Sequence, residues 1–216
     1  LTKINYLKDI SESKKPFIIY KSLKGFDLYT NFSKKIILTN KNIKNFINKT
    51  NKNISTNKNT DLFLGFFGYE LLNNLIGVKL KKQKSLNFPK GIFYKPEIKI
   101  KLANKLNYTS LRPVKSKKTF RINLNKTSYE NIFNRFKKKI KSGETYQIKI
   151  CTKYKNKSKI DPLDFFCRLT KTNIAPEAFM IKDRDYSIIS CSPENLITKK
   201  NDFISTKPIA GTLKKS

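Results

Sequence analysis

The sequence predicts an α+β fold. Three observations carry this prediction: short strands rich in aromatic and β-branched residues fill the first half, an amphipathic helix opens the second half, and the C-terminal part has the turn residues of an antiparallel meander. Hydrophobic residues make up 38% of the 216 residues, which is enough for a substantial core in a chain of this size. The repeating strand–helix pattern of a parallel sheet is absent from the sequence.

The first half predicts mainly strands. The stretches "PFIIYKS", "FDLYTNF" and "KKIILTN" each have the composition of a short strand. We expect a short helix next, with Ile43, Phe46 and Ile47 on one face, and a solvated loop after it. The apolar run Leu62–Phe67 predicts a buried strand, and Gly65 and Gly68 mark either a close approach of another backbone or a bend.

Two further elements complete this half. Residues 69–76 predict a helix that ends at Gly77, because glycine readily adopts the left-handed conformation that follows many helices. The stretch "FPKGIFYKPEIKIKL" predicts two strands joined by a turn. We therefore expect a first region at residues 1–108, a basic linker at 109–120 and a second region at 121–216.

The second half opens with a predicted helix, "TSYENIFNRFKKKIKSGE". Thr127 and Glu130 have the Thr-x-x-Glu spacing of a capping box, in which each side chain satisfies a free backbone N–H of the first turn. We expect Gly143 to end the helix. One face of the helix carries an apolar stripe, formed by Tyr129, Ile132, Phe133, Phe136 and Ile140.

A strand, a second helix and two hairpins follow. The stretch "TYQIKIC" alternates strictly, so Tyr146, Ile148 and Ile150 share one face of a predicted strand, while Gln147 and Lys149 share the other. The pattern by itself makes this second face an outer one. "DPLDFFCRLTKT" predicts a helix with an aspartate N-cap and a proline in the first turn, and antiparallel hairpins are expected after it.

The net charge of +32 has two interpretations. A basic surface attracts phosphates, which would make the chain a nucleic-acid-binding module. The lysines are, however, spread along the whole chain together with many Asn and Ile residues, as A/T-rich codons would produce. The sequence also lacks zinc-finger spacing and aromatic RNA-binding signatures. Compositional bias is the preferred interpretation, and nucleic-acid binding stays the alternative.

Composition also bears on the compartment. No apolar run reaches the roughly 18 residues that a helix needs to cross a bilayer, and the first residues lack the features of a secretory signal. The three cysteines include no Cys-x-x-Cys pair, which argues against a disulfide framework or a zinc site. We therefore expect a cytoplasmic protein without a membrane partner.

Four motifs carry a resemblance to a known family. They are, in chain order, "SGETYQIKI", "APEAFM", "SCSPENLI" and "TKPIAGT". Together with "LGFFGYELL" and "PFIIYKS" upstream, they resemble the chorismate-utilising enzymes, specifically component I of anthranilate synthase and of aminodeoxychorismate synthase. The resemblance implies a two-sheet antiparallel β core flanked by helices, with the active site between the sheets.

The resemblance implies catalytic roles for two residues. Members of the family remove the hydroxyl group of chorismate and add a nucleophile. Glu194 matches the Ser-Pro-Glu carboxylate near the departing hydroxyl, where it would act as a general acid; without the motifs it reads as a turn residue. Gln147 stands where water-adding relatives carry a basic lysine. Because glutamine takes no proton at neutral pH, Gln147 indicates that the nucleophile is ammonia.

Further positions match the substrate and regulatory sites of the family. Gly211 and Thr212 match a turn whose backbone N–H and hydroxyl face the substrate. Ala210 stands where some aminodeoxychorismate synthases carry a nucleophilic lysine, so a covalent route through this position is closed. Both branches of the family include members with alanine here, and the product stays open. Ser22 matches the serine of a tryptophan-binding regulatory pocket, although the expected arginine is not found nearby.

The resemblance also implies a cofactor and a partner. Relatives use Mg²⁺ to hold the substrate carboxylate and receive ammonia from a glutamine amidotransferase subunit, component II. Because relatives continue well past "PIAGT", we expect the Mg²⁺ ligands beyond Ser216, none within this fragment, and no turnover of chorismate by the fragment alone. An inactive remnant of the family is a further alternative.

Overall fold

The computed structural model describes residues 3–22, 25–55, 62–71, 75–77, 88–110, 119–200 and 202–209. Within these ranges the fold is α+β, as predicted, and all paired strands are antiparallel. The helices are α1 (Lys3–Glu12), α2 (Ile43–Ser55), α3 (Lys126–Lys141) and α4 (Pro162–Thr172). The strands are β1 (Phe17–Ser22), β2 (Gly25–Ile37), β3 (Leu64–Phe67), β4 (Gly91–Lys101), β5 (Arg121–Ile122), β6 (Tyr154–Lys155), β7 (Glu177–Lys182), β8 (Ser187–Ser192), β9 (Thr198–Lys200) and β10 (Phe203–Ser205).

The chain divides into two compact units. The first comprises Leu1–Thr109 together with Pro162–Ser216, and the second comprises Ser110–Asp161. In the first unit, β7 from the C-terminal part of the chain pairs with β1 from the N-terminal part. The predicted regions 1–108 and 121–216 thus contribute strands to one sheet, and their boundaries stay a prediction.

A six-stranded sheet in the order β3-β4-β2-β1-β7-β8 is the framework of the first unit. Because side chains alternate along a strand, Phe17 and Ile19 of β1 lie on one face, while Ile18 and Tyr20 lie on the other. The first face packs against α1 and α4. The buried residues of that core are Leu7, Phe17, Ile19, Phe26, Leu28, Leu102, Leu106, Leu163, Phe166, Cys167, Ala178 and Met180.

The opposite face carries a second cluster, and α2 covers a third. Residues of the second cluster are Ile18, Tyr29, Ile92, Tyr94 and Ile181. Ile43 of α2 packs with Leu38 and Leu71, and Phe46 and Ile47 lie against the same cluster. The predicted apolar face of α2 is confirmed. The helix continues to Ser55, through part of the predicted loop.

Two strand predictions are wrong in the same way. "FDLYTNF" and the first four residues of "KKIILTN" belong to one continuous strand, β2, and residues 91–101 of "FPKGIFYKPEIKIKL" form one strand, β4, without the predicted turn. Pro96 lies opposite Phe32, and the register between β2 and β4 shifts immediately after this pair. Proline lacks an N–H donor and is accommodated where a bulge interrupts the ladder, so it does not break β4.

The glycine prediction in β3 is confirmed, whereas the predicted burial of this strand is not. A Cβ atom at Gly65 would lie 1.9 Å from the carbonyl oxygen of Ile92, so only glycine allows β3 to pair with β4. β3 is an edge strand and Phe67 is exposed. Tyr69–Leu71 forms a short 3₁₀ turn at the start of the predicted helix, and residues 72–74 lie outside the described ranges. Gly77 has the predicted positive φ, 72°.

The start of α3 differs from the capping-box prediction. The N-cap is Asn125, whose side chain accepts a hydrogen bond from the backbone N–H of Ser128 at 2.8 Å. Thr127 lies within the helix, and Glu130 faces Lys126 at 3.9 Å. The predicted end is confirmed, because Gly143 has a φ of 75°.

The predicted strand "TYQIKIC" is wrong within the described part of the chain. Residues 145–151 form no strand there, and the Tyr146 side chain is 92% exposed. A strand needs the N–H and C=O groups of a neighbour, and the ranges described for the second unit provide none at this segment. The other C-terminal predictions are confirmed: α4 begins at Pro162, and β7–β8 and β9–β10 are hairpins.

Candidate active site

A cavity of about 560 Å³ lies on the sheet face opposite α1 and α4, within the first unit. Its lining combines apolar and aromatic walls with a polar end. The aromatic side chains are Tyr20, Phe63, Phe93 and Phe179, and the polar ones include Glu177, Ser190, Ser192, Glu194 and Asn195. An apolar pocket with a few convergent polar groups is the usual form of a small-molecule site.

Glu194 lies in the loop that follows β8 and is half-buried. The Ser192 hydroxyl donates a hydrogen bond to the carbonyl oxygen of Glu194 at 2.7 Å and accepts one from the N–H of Glu194 at 3.3 Å. Serine hydroxyls commonly stabilise turns in this way. The backbone of Glu194 is therefore fixed at the cavity independently of its carboxyl group.

A chain of hydrogen bonds crosses the polar end of the cavity. The Tyr20 hydroxyl donates to one carboxylate oxygen of Glu177 at 2.5 Å, and the Asn195 amide donates to the other at 2.8 Å. The Thr198 hydroxyl donates to the Asn195 carbonyl oxygen at 3.2 Å. Burial raises the pKa of Tyr20, and the hydrogen bond to Glu177 raises it further. The phenol therefore stays protonated and remains a donor.

The segment that leads to the predicted substrate turn is also tied to this loop. The Thr206 hydroxyl donates to the carbonyl oxygen of Leu196 at 2.7 Å. Ala210, Gly211 and Thr212 themselves lie outside the described residues. Their predicted contacts with substrate stay predictions.

The two other predicted positions lie elsewhere in the chain. Gln147 belongs to the second unit, where its side chain is exposed and its carbonyl oxygen accepts a hydrogen bond from the Thr145 hydroxyl at 3.3 Å. Ser22 is the last residue of β1, and its backbone pairs with Gly25. The predicted roles of Gln147 in catalysis and of Ser22 in tryptophan binding stay predictions.

The described residues do not fit a Mg²⁺ ion. Nowhere in the described ranges do three or more His, Cys, Asp or Glu side chains come together, although Mg²⁺ requires oxygen ligands. No step of the proposed chemistry is therefore assigned to the ion. In the same ranges, no helix is both long enough and apolar enough to span a bilayer.

A second polar cluster lies on the same sheet, at the β7–β8 turn. Buried Asp183 accepts hydrogen bonds from the Lys35 ammonium at 2.7 Å, the Tyr94 hydroxyl at 2.7 Å and the N–H of Arg184 at 2.7 Å. Burial alone would raise the pKa of Asp183, but these hydrogen bonds outweigh it and lower the pKa to about 2. This cluster fastens the turn to β2 and β4.

Sequence reasoning missed Tyr20, Glu177 and Asn195 as members of the site. Glu177 and Asn195 lie within the motifs "APEAFM" and "SCSPENLI", so their positions in these motifs could have marked them as candidate site residues. The alternation of β7 also places Glu177, Phe179 and Ile181 on one face. The missing information was the pairing of β1 with β7, which brings Tyr20 next to Glu177.

The fold and the cavity define a class: an α+β protein with an aromatic-walled cavity that carries carboxylates at one end. Residues 10–216 match the family of chorismate binding enzymes. The chain therefore belongs to the chorismate-binding enzyme family, as the motifs predicted. The match gives no support to a nucleic-acid-binding module.

Individual relatives agree with this assignment. The chain is 33% identical over 109 residues to anthranilate synthase component 1 of Saccharomyces cerevisiae, covering 50% of this chain and 22% of the relative. It is 30% identical over 101 residues to aminodeoxychorismate synthase component 1 of Salmonella typhimurium, covering 47% and 22%. It is 26% identical over 180 residues to an anthranilate synthase component I-like protein of Synechocystis, covering 69% and 36%. The chain thus spans about a fifth to a third of the length of these relatives.

Proposed function

We propose that this chain is part of a chorismate-aminating synthase of the component I type. The observation that carries the proposal is the position of Glu194, the carboxylate of the Ser-Pro-Glu motif, at an aromatic-walled cavity with its backbone held by Ser192. Aromatic walls suit a planar unsaturated ring, and a carboxylic acid suits the departure of a hydroxyl group.

In the proposed reaction, Glu194 donates a proton, whereas Gln147 neither donates nor accepts one. Glu194 donates a proton to the ring hydroxyl of chorismate, which leaves as water while ammonia forms the new C–N bond. The product leaves as an ammonium ion, and Glu194 regains its proton from solvent. Ammonia brings its own lone pair and needs no base to activate it, so a neutral glutamine at position 147 suffices. Gly211 and Thr212 contact the substrate, and Ala210 offers no competing nucleophile.

For the whole protein, the proposal includes a two-sheet core that encloses the substrate, with the cavity face of the described sheet turned inward. The partly apolar lining of the cavity supports this feature.

The proposal has three further parts. The division at 1–108, 109–120 and 121–216 separates an N-terminal region from the chorismate-binding region. A glutamine amidotransferase subunit delivers ammonia in the cytoplasm. Ser22 belongs to a regulatory pocket for tryptophan.

The test uses the complete polypeptide that the gene encodes. The purified protein is mixed with chorismate, Mg²⁺ and ammonium, and anthranilate fluorescence is followed with and without an added aminodeoxychorismate lyase. Fluorescence without the lyase identifies an anthranilate synthase, and p-aminobenzoate formed only with the lyase identifies the other branch. A folded protein that consumes no chorismate refutes the proposal and favours an inactive remnant.

A variant pair tests the role of the carboxyl group. Glu194→Gln removes the proton donor and is expected to lower kcat by about 100-fold or more, the usual contribution of a general acid. Glu97→Gln, at an exposed position of β4, is the matched control and should retain wild-type turnover. Equal activity of both variants would remove Glu194 from the mechanism.

A further inference from the structure

We propose that Glu177 is a positioning residue that holds the Glu194 loop through Asn195. This inference rests on the proposed function for its catalytic consequence, whereas the hydrogen bonds that carry it are independent of any reaction. Glu177 is the first residue of β7 and lies directly opposite Ser192 of β8. The loop at residues 193–197 therefore begins at the position that Glu177 faces.

The loop has little apolar packing to hold it. Leu196 is 83% exposed and Ile197 is 65% exposed, so burial contributes little to the conformation of this segment. Polar contacts remain: Ser192 binds the backbone of Glu194, Glu177 and Thr198 bind the side chain of Asn195, and Thr206 binds the carbonyl oxygen of Leu196. The contacts of Ser192, Thr198 and Thr206 join the loop to neighbouring C-terminal residues. The contact of Glu177 connects the loop to the central strands of the sheet.

The chemistry of the network explains why a carboxylate stands at position 177. The Tyr20 hydroxyl and the Asn195 amide both donate, and Glu177 accepts one bond on each oxygen. Hydrogen bonds to an ionised acceptor are roughly twice as strong as neutral ones. A glutamine at position 177 would carry no charge, and one of its two polar atoms would be a donor, so both links would become neutral and the bond with the Tyr20 hydroxyl would have to reverse its direction.

The same geometry separates the roles of the two carboxylates. Both oxygens of Glu177 are occupied by donors from the protein, one on β1 and one on the loop. Glu177 is therefore suited to hold the loop and not to transfer a proton. Glu194, whose backbone is held by Ser192, supplies the chemistry, and Glu177 acts on it through the neighbouring residue.

The catalytic test compares three variants of the complete gene product. Glu177→Gln and Asn195→Ala are each expected to lower kcat by about 10- to 100-fold, the range that a misplacement of about 1 Å produces, with KM for chorismate nearly unchanged. Because both changes act on the same link between residues 177 and 195, the double variant should lose no more than the larger single loss. Glu97→Gln is the control. Losses that multiply in the double variant, or wild-type kcat in both single variants, would overturn the proposal.

A second measurement does not depend on activity. Hydrogen exchange of the backbone amides at 194–197 is expected to accelerate in Glu177→Gln and in Asn195→Ala, while exchange in β1 and β2 stays as in the wild type. If the wild-type protein turns over no chorismate, the proposed function fails and the exchange result alone decides whether Glu177 holds the loop. Unchanged exchange at 194–197 in both variants would overturn the proposal.

Discussion

The helices α3 and α4 are both amphipathic, yet only α4 builds a core. α4 buries Leu163, Phe166 and Cys167 against the sheet of the first unit. α3, in the second unit, buries none of its side chains, although its apolar stripe is as regular. The difference lies in the partner: α4 lies directly before β7 and packs on the sheet, whereas the described strands of the second unit, β5 and β6, have two residues each.

This contrast separates what a pattern predicts from what stabilises the element. Apolar residues at helical spacing predict a helix and the face it would bury, and both helices are present where expected. Burial requires a second surface. Without it, a helix depends on local interactions such as its caps, side-chain pairs and the charges at its ends. α3 and α4 should therefore respond to different substitutions.

The largest difference is expected for matched phenylalanine truncations. Phe166→Ala in α4 removes a ring that is 0% exposed and is expected to lower the free energy of unfolding by about 3–5 kcal/mol, through lost transfer energy and a new cavity. Phe133→Ala in α3 removes a ring that is 46% exposed and should lower it by less than about 1 kcal/mol. Urea unfolding followed by circular dichroism measures both. Equal losses would show that α3 is buried in solution.

Glycine substitutions extend the comparison from side chains to the backbone. Gly65→Ala would place a Cβ atom 1.9 Å from the Ile92 carbonyl oxygen, so β3 must move away from β4, at a cost of about 3 kcal/mol, as in other overpacked sites. A Cβ atom at Gly143 meets no atom within 4 Å, and Gly143→Ala incurs only the strain of a positive φ, about 1 kcal/mol. Urea unfolding of the two variants should give this order, and the reverse order would refute it.

The success of sequence-based prediction follows the same division. Gly65, Gly143 and Pro162 were placed correctly because each carries a local conformational requirement. The sequence predicts two strands in place of β4, because the effect of Pro96 depends on a bulge in β2, which is a different strand. The strand at 145–151 was predicted from alternation, but a strand also depends on a neighbour that its own residues do not encode.

The candidate site shows the same limit. Glu194 could be identified from its motif, and the described structure adds its location at the cavity and its bonds to Ser192. The link from Glu177 to Asn195 depends on the register of β7 with β8 and on a loop that returns over it. The spacing of residues within one segment determines neither the register of two strands nor the path of a loop, so this network could not be predicted.

Acid titration should distinguish the ionic contacts of the two units. Asp183 has a pKa of about 2 in the folded state, whereas the ordinary pKa of an aspartate is 3.8. Between these values the unfolded state binds more protons, so stability rises with pH through this window and is fully present above it. Asp183→Asn should therefore lower the free energy of unfolding by about 2 kcal/mol at neutral pH and flatten its fall between pH 4 and pH 2.

The matched variant for this titration is Glu130→Gln in α3. Glu130 faces Lys126 at 3.9 Å, and both side chains are exposed. Exposed ion pairs contribute little to stability because water and salt screen them. The free energy of unfolding of this variant should therefore fall at low pH as it does in the wild type. Urea unfolding at a series of pH values gives both curves. If Asp183→Asn leaves the fall of the free energy of unfolding between pH 4 and pH 2 unchanged, the Asp183 cluster does not stabilise the fold as proposed.

The smallest expected effect concerns the start of α3, where the structure and the capping-box pattern disagree. Asn125→Ala removes the side chain that accepts from the Ser128 N–H and should destabilise the helix by about 1 kcal/mol. Thr127→Ala, which alters the residue that the pattern selected, should change little because Thr127 lies inside the helix. Exchange of the backbone amides at 127–129 measures the effect locally, since α3 buries no side chain and its opening need not unfold the sheet. Faster exchange in Thr127→Ala than in Asn125→Ala would move the helix start to Thr127 and restore the capping box.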